Sequence, residues 1–210
     1  MLLGARQFFE RRGAPTPPLP YDAEVEYLES TGTQCIDTGY APGTDVVAVS
    51  ARYEFTGGVA YAATVWGAQL ATDRNWMANQ YSDRWWFGTQ QGQFAGSQGN
   101  YLHDVSWNIN NGAVSGSVNG TMYSGTYSGS VVSGHSVYLF GCNAGGVAQR
   151  VSSLKLYSYS LSDNGKLVRD LIPVRFTNEQ NQSEGAMYDR VSRKLFRNAG
   201  TGAFLYGPDK

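Results

Sequence analysis

Charge is scarce in this chain. Of 210 residues, 16 are Lys or Arg and 17 are Asp or Glu, and the formal net charge is −1. Soluble domains usually carry about a quarter charged residues. Without a basic field nothing holds a phosphate backbone, so nucleic acid is not an expected partner. Long apolar runs are missing as well. None approaches the about 20 residues that a membrane helix requires, so no membrane partner is expected. Cysteine and histidine are nearly absent: Cys35, Cys142, His103 and His135 are all there is. That is a poor supply for a structural metal site. Each cysteine reads as a small buried apolar side chain, and a disulfide would require their strands to be neighbours.

A recognisable leader is lacking too. Residues 1–12 carry Leu2, Leu3, Phe8 and Phe9, but Arg6, Glu10, Arg11 and Arg12 interrupt them. This is not the apolar core and small-residue cleavage site of a signal peptide. The expectation is synthesis in the cytoplasm and, for any role outside, release by another route such as lysis. After Pro20 the chain also lacks the 3.6-residue periodicity of a helix of ordinary length.

What is present is glycine, 26 residues of it, among Ser, Thr and Asn. This composition favours strands and turns. Residues 1–20 form a separate region. Leu2, Leu3, Phe8 and Phe9 would line one side of a short helix. Pro15, Pro17, Pro18 and Pro20 then impose an extended segment. The region reads either as a frayed terminus or as an anchor on a semi-rigid spacer. From residue 21 to 210 one β domain is expected. Val47, Val49, Ala51, Tyr53 and Phe55 alternate with polar partners, the period of a half-buried strand. Further strands are expected at 24–29, 34–38, 59–67, 75–79, 84–88, 103–109, 113–118, 121–127, 136–143, 149–159, 166–175, 186–189, 194–197 and 203–206. Asn111-Gly112 and Asn119-Gly120 mark tight hairpins, because both central residues of a type I′ turn need positive φ. Residues 162–165 read as a turn or a single helical turn. About a dozen short strands predict an all-β antiparallel sandwich.

Aromatic residues cluster in one stretch. Trp66, Trp76, Tyr81, Trp85, Trp86 and Phe87 fall close together, with Asn75, Asn79, Gln80, Asp83 and Arg84 between them. Consecutive strand residues face opposite ways, so one ring of Trp85-Trp86 is expected to meet solvent or a partner. Three roles compete for the cluster: sandwich core, protein interface and glycan contact. Trp66, Asn75, Trp76, Tyr81, Trp85 and Trp86 are the candidate ligand-binding residues.

Chemistry of other kinds is mostly missing. The acids Asp22, Glu24, Glu26 and Glu29 are the nearest approach to the paired carboxylates of a glycosidase. They precede a core strand and read as structural. His103-Asp104 has no nucleophile beside it and reads as a surface or turn pair. No phosphate-binding loop opens a helix. No catalytic residue and no cofactor are expected, and the chain does not read as an enzyme.

The block Tyr27-Leu28-Glu29-Ser30-Thr31-Gly32-Thr33-Gln34-Cys35-Ile36-Asp37-Thr38-Gly39 resembles a family signature. So do Lys155-Leu156-Tyr157, the run from Leu167 to Arg175, Met187-Tyr188-Asp189, and Phe196-Arg197-Asn198-Ala199-Gly200-Thr201-Gly202. Together they resemble the laminin-G-like, concanavalin A-like jelly-roll modules of phage structural proteins and gut-bacterial surface proteins, over residues 24–206. Where Cys35 stands, the family usually has an aromatic residue. The resemblance implies a virion component, a capsid-decorating, head-fibre or tail-associated protein. Its residues 1–20, with Leu2, Leu3, Phe8 and Phe9 as anchors, would dock on other virion proteins. Weak carbohydrate binding, and a homo-oligomer in a fibre-like setting, are in keeping with it. Some such modules hold calcium, for which Asp73, Asp83 and Asp104 are the candidates. Arg169, Asp170 and Arg175 are expected to form an ion cluster. A bacterial surface carbohydrate-binding adhesin is the alternative, and a divergent glycosidase the third reading.

Overall fold

An extended chain turns alternate residues to opposite faces. Val47, Val49, Ala51, Tyr53 and Phe55 are therefore buried together, while Ser50 and Arg52 between them are exposed. This is seen in a computed structural model that describes residues 18–57, 63–69, 100–126 and 130–210; between 70 and 99 it describes only the backbone of three strands. In chain order the strands are β1 (Ala23–Glu24), β2 (Leu28–Thr31), β3 (Ile36–Asp37), β4 (Val46–Phe55), β5 (Ala63–Gln69), β6 (Asn75–Tyr81), β7 (Arg84–Phe87), β8 (Gln93–Ala95), β9 (Leu102–Asn110) and β10 (Ala113–Val118). They continue with β11 (Thr121–Thr126), β12 (Tyr138–Leu139), β13 (Cys142–Ala144), β14 (Val147–Gln149), β15 (Ser153–Asp163), β16 (Lys166–Thr177), β17 (Ser183–Asp189), β18 (Lys194–Phe196) and β19 (Leu205–Tyr206). No helix occurs among the described residues.

The strands form two sheets. The first runs β11-β10-β9-β4-β15-β16-β17-β18, with β2 beside one half of β15 and β1 beside β16. The second runs β14-β13-β5-β6-β7-β8, with β12 and β3 attached. Pairing is antiparallel except between β13 and β5. One apolar core takes side chains from both sheets, among them Trp107, Tyr159 and Leu161 from the first and Ile36, Trp66 and Leu139 from the second. Trp66 meets Tyr159 edge to face, with ring centroids 5.8 Å apart. The protein is an all-β sandwich.

Both expected Asn-Gly hairpins form, with φ of 46° and 93° at Asn111 and Gly112 and 49° and 81° at Asn119 and Gly120. Asn164-Gly165, at 48° and 75°, is a third turn of this kind and joins β15 to β16. The expected central strand over 136–143 is in fact two. Phe140, with φ 66°, breaks it. Its amide donates to Val65 at 2.7 Å, its carbonyl accepts from Ser152, and its ring stacks near Phe204. The expected strand over 24–29 is likewise divided into β1 and β2, while β8 and β14 were not anticipated.

The chain ends lie along each other. Lys210 N donates to Glu24 O, Glu26 N to Pro208 O, and Gly207 N to Tyr27 O. β19 pairs with β2, Thr201 N reaches Thr33 O, Ala199 N reaches Cys35 O, and Ile36 bridges to Asn198. Side chains lock this ladder. Asn198 Oδ1 accepts from the amides of Cys35 and Gly200, and its Nδ2 donates to Gly202 O. Gln34 Nε2 donates to Ala203 O at 3.0 Å. Gly200 is needed for the close approach, because a Cβ there would stand 2.2 Å from Thr33 O. β1 and β2 belong to the first sheet and β3 to the second, so this clasp ties the two sheets together.

The ions are arranged differently from the single cluster expected. Arg169 lies between the rings of Tyr40 and Phe196, donates to Thr38 O, and faces the buried Asp189 carboxylate at 3.7 Å. Asp189 also accepts from the amides of Asp170, Val191 and Ser192. Asp170 pairs instead with Arg190, and Arg175 with Asp209 and Asp22. Cys35 and Cys142 are both buried free thiols.

Asp163, at the end of β15, holds the segment that leads into β4. It accepts from Gly43 N at 2.7 Å, from the Tyr40 hydroxyl at 2.9 Å and from the Thr44 hydroxyl. Burial alone would raise its carboxyl, but these hydrogen bonds outweigh burial and hold it below the ordinary carboxylate value. Its stabilising contribution is complete above the unfolded-state value of about 4 and is lost as pH falls through the lower folded value. The stability advantage of the wild type over Asp163→Asn, measured by urea unfolding, is therefore expected to shrink below about pH 4. An advantage that does not change with pH would refute the assignment. Asn198→Ala leaves backbone groups of the clasp without partners and is expected to cost about 1–3 kcal/mol in the same assay.

Candidate functional site

The aromatic stretch occupies consecutive strands of the second sheet. β6 lies between β5 and β7, with Trp76 opposite Ala68 and Asn75 opposite Gln69. Across β6 and β7, Trp86 pairs with Asn79, Trp85 with Gln80, and Tyr81 with Arg84. β8 follows, with Phe94 opposite Trp85. The backbone register thus brings Asn75, Trp76, Tyr81, Trp85 and Trp86 onto one pair of neighbouring strands. Their side chains lie outside the described residues. Trp66 is a correction. Its ring is fully buried in the sandwich core, so it presents no face to a ligand. Its strand is buried on both faces from Thr64 to Ala68, and there an aromatic residue is a packing element.

The outer face of the first sheet is fully in view across β10, β9, β4 and β15. Cross-strand register aligns Ser117, Ser106, Ser50 and Ser160 in one row. Beside it, Asp104, Arg52 and Ser158 form a second row. These short side chains leave a hollow of about 240 Å³, lined by Ser50, Arg52, Asp104, Ser106, Ser117 and Ser158 among others. The Arg52–Asp104 ion pair, at 3.6 Å and open to solvent, stands at its margin. The Arg52 guanidinium lies 5.9 Å from the Tyr157 ring centroid. A bulge in β15 between Leu156 and Ser158 turns Tyr157 to this face, where its hydroxyl donates to Glu54. Burial, followed by the contact with Glu54, pushes the Tyr157 phenol up to about 12, so it stays a neutral donor at physiological pH.

Hydroxyls both donate and accept, Arg52 only donates and Asp104 only accepts. The hollow therefore suits a neutral, hydroxyl-bearing ligand better than an anion. Sequence reading missed it because the row exists only through register. The polar positions of the alternating pattern over 46–55 were its one visible trace.

The remaining candidates separate. Asp22 accepts from Thr177 and pairs with Arg175, while Glu24 accepts from Tyr21 and faces Arg190. Asp22 and Glu24 of the acid run thus hold the segment around β1 to the sheet. His103 is not at the surface. It is buried on the inner face of β9 among Tyr53, Phe55 and Tyr101, and Asp104 points the other way. Among the described residues no group of three or more His, Cys, Asp or Glu is placed to hold a metal ion. Of the calcium candidates, Asp104 is paired with Arg52, and Asp73 and Asp83 lie outside the described residues. So do Leu2, Leu3, Phe8 and Phe9.

The described chain begins at one corner. Tyr21 packs edge to face on Tyr188, with centroids 4.9 Å apart, beside a small cluster of Ile172, Val174, Phe176 and Ala186 on the outer face of β16 and β17. Asp22 N donates to Arg175 O. No protein-family model matches the chain, and no curated protein matches it significantly.

The two kinds of residue are expected to respond differently to mutation. Trp66→Ala should cost about 3–5 kcal/mol in chemical denaturation, as a core truncation. Arg52→Ala should change stability by less than about 1 kcal/mol, because its ion pair is open to solvent. A mild effect of Trp66→Ala would return that ring to the list of surface candidates.

Proposed function

We propose that this chain is a structural protein of a phage virion, a capsid-decorating, head-fibre or tail-associated component. It attaches through residues 1–20 and displays a lectin-like sandwich for weak adhesion to glycans or host surfaces. The observation that carries the reading is the polarity of the domain. The chain meets the sheet at Tyr21 beside β16, whereas β11 and its Asn-Gly turn lie five strands away, about 24 Å by strand spacing. An arm anchored at that corner leaves the far end of the sandwich projecting.

The resemblance to laminin-G-like modules supports the reading from another side. Its first block, 27–39, and its last, 196–202, are the two halves of the clasp, so both motifs serve one structural purpose. The hydroxyl-lined hollow offers a surface that suits a saccharide. Affinity there would gain from many copies on one particle. The bacterial adhesin reading draws on this same surface and places the protein on cells.

Deleting residues 1–20 is expected to leave a folded sandwich that no longer co-purifies with particles, as read by mass spectrometry of phage assembled with the truncated chain. Incorporation at the wild-type copy number would refute the anchoring role. Detection of the full chain on bacterial cells, and not on particles, would favour the adhesin.

A further inference from the structure

The first sheet ends in two unlike edges. β18 is three residues long, carries Lys194, and is flanked by Arg193 and Arg197. Short, charged strands of this kind resist pairing with other chains. β11 is six residues long, Thr-Met-Tyr-Ser-Gly-Thr, with neither charge nor proline. The whole stretch between Asp104 and Arg150 contains no Asp, Glu, Lys or Arg. Met122 on this strand is 73% exposed, the most of any large apolar side chain among the described residues.

The backbone of β11 is poised for a further strand. Its two-residue hairpin pairs Val118 with Thr121, then Gly116 with Tyr123 and Val114 with Gly125. In a hairpin of this type those pairs exchange the hydrogen bonds. The N–H and C=O groups of Met122, Ser124 and Thr126 therefore point away from β10. No strand among the described residues pairs with that edge.

We propose that β11 is a self-association edge, where a second copy of this chain adds its own β11 antiparallel about a two-fold axis at Ser124. This register sets Ser124 opposite Ser124 of the second copy and Met122 opposite its Thr126. All three outward residues on each side are then used, for about six hydrogen bonds. The pairing suits itself because the strand carries no charge to face its own image. The two-fold axis stands perpendicular to the sheet and keeps both outer faces on one side. The two chains would therefore meet their arms on one side of the joined sheet, roughly 50 Å apart by strand spacing. That last consequence, unlike the interface itself, rests on the proposed anchoring role.

Sedimentation equilibrium of the full chain tests the interface. A reversible dimer is expected, with a dissociation constant of about 1 to 100 µM. Ser124→Lys sets two ammonium groups face to face and is expected to weaken the dimer at least tenfold, with the monomer still folded because the site is solvent-exposed. Ser124→Cys is expected to give a covalent dimer on mild oxidation, since the about 5.5 Å between paired Cα atoms lies within disulfide reach. Cys35 and Cys142 are buried and do not compete. A chain that stays monomeric throughout, a dimer that Ser124→Lys does not weaken, or a dimer that Ser124→Cys does not crosslink would each overturn the proposal.

Discussion

Residues 24–36 and 198–210 lie antiparallel along almost their whole length, and the sandwich depends on that contact. The first of these segments supplies strands to both sheets. The last supplies backbone partners for these short strands beyond those they find in β16, β15 and β12. Two-residue strands such as β1 and β3 make few hydrogen bonds of their own, although β3 contributes the fully buried Ile36 to the core. Beside β3, Asn198 and Gln34 satisfy backbone groups of the clasp that would otherwise lack partners, while β1 is held between β16 and the Lys210 amide. Gly200 stands where any side chain would hold the segments apart.

Two further devices extend outward from the clasp. Arg175 forms a bidentate pair with Asp209 and so holds the last residues against β16. Arg169, between two aromatic rings and beside the buried Asp189, fixes the end of β3 to the β16–β17 hairpin. Both arginines bond to carboxylates or carbonyls at defined geometry, a task that lysine performs less well. The same corner receives the chain at Tyr21. Whatever precedes that residue is therefore attached to a densely tied part of the domain, while the hairpins of β9, β10 and β11, in which Asp104 is the one Asp, Glu, Lys or Arg, occupy the opposite end.

Much of this was legible in the sequence, and the exceptions have physical causes. The alternation from Val47 to Phe55, the strand expected over 103–109 and the two Asn-Gly turns placed β4, β9, β10 and β11 nearly to the residue, because a half-buried strand leaves a period of two and a type I′ turn fixes its neighbours. Asn164-Gly165 carried the same signal within a turn of uncertain type. The stretch 136–143 misled because a run apolar on both faces does not reveal that Phe140 takes positive φ. Of the three roles open to the aromatic cluster, Trp66 takes the core one, because its strand is buried on both faces, which sequence proximity to Trp76 and Trp85 does not reveal. The hydroxyl-lined hollow depends on which serine stands opposite which, and single-strand patterns hold no register. The clasp was visible only as two separate motifs, with nothing in either to say that they meet.

The domain is thus tied at one end and plain at the other. The central claim is that the clasp opens only when the whole sandwich unfolds. Native-state hydrogen exchange at the amides of Ala199, Thr201 and Gly207, followed over low denaturant concentrations, tests it most directly. The account predicts that these amides exchange with the free energy and denaturant dependence of global unfolding. Exchange through a low-energy opening independent of denaturant, with the amides of β4 and β15 still protected, would contradict it.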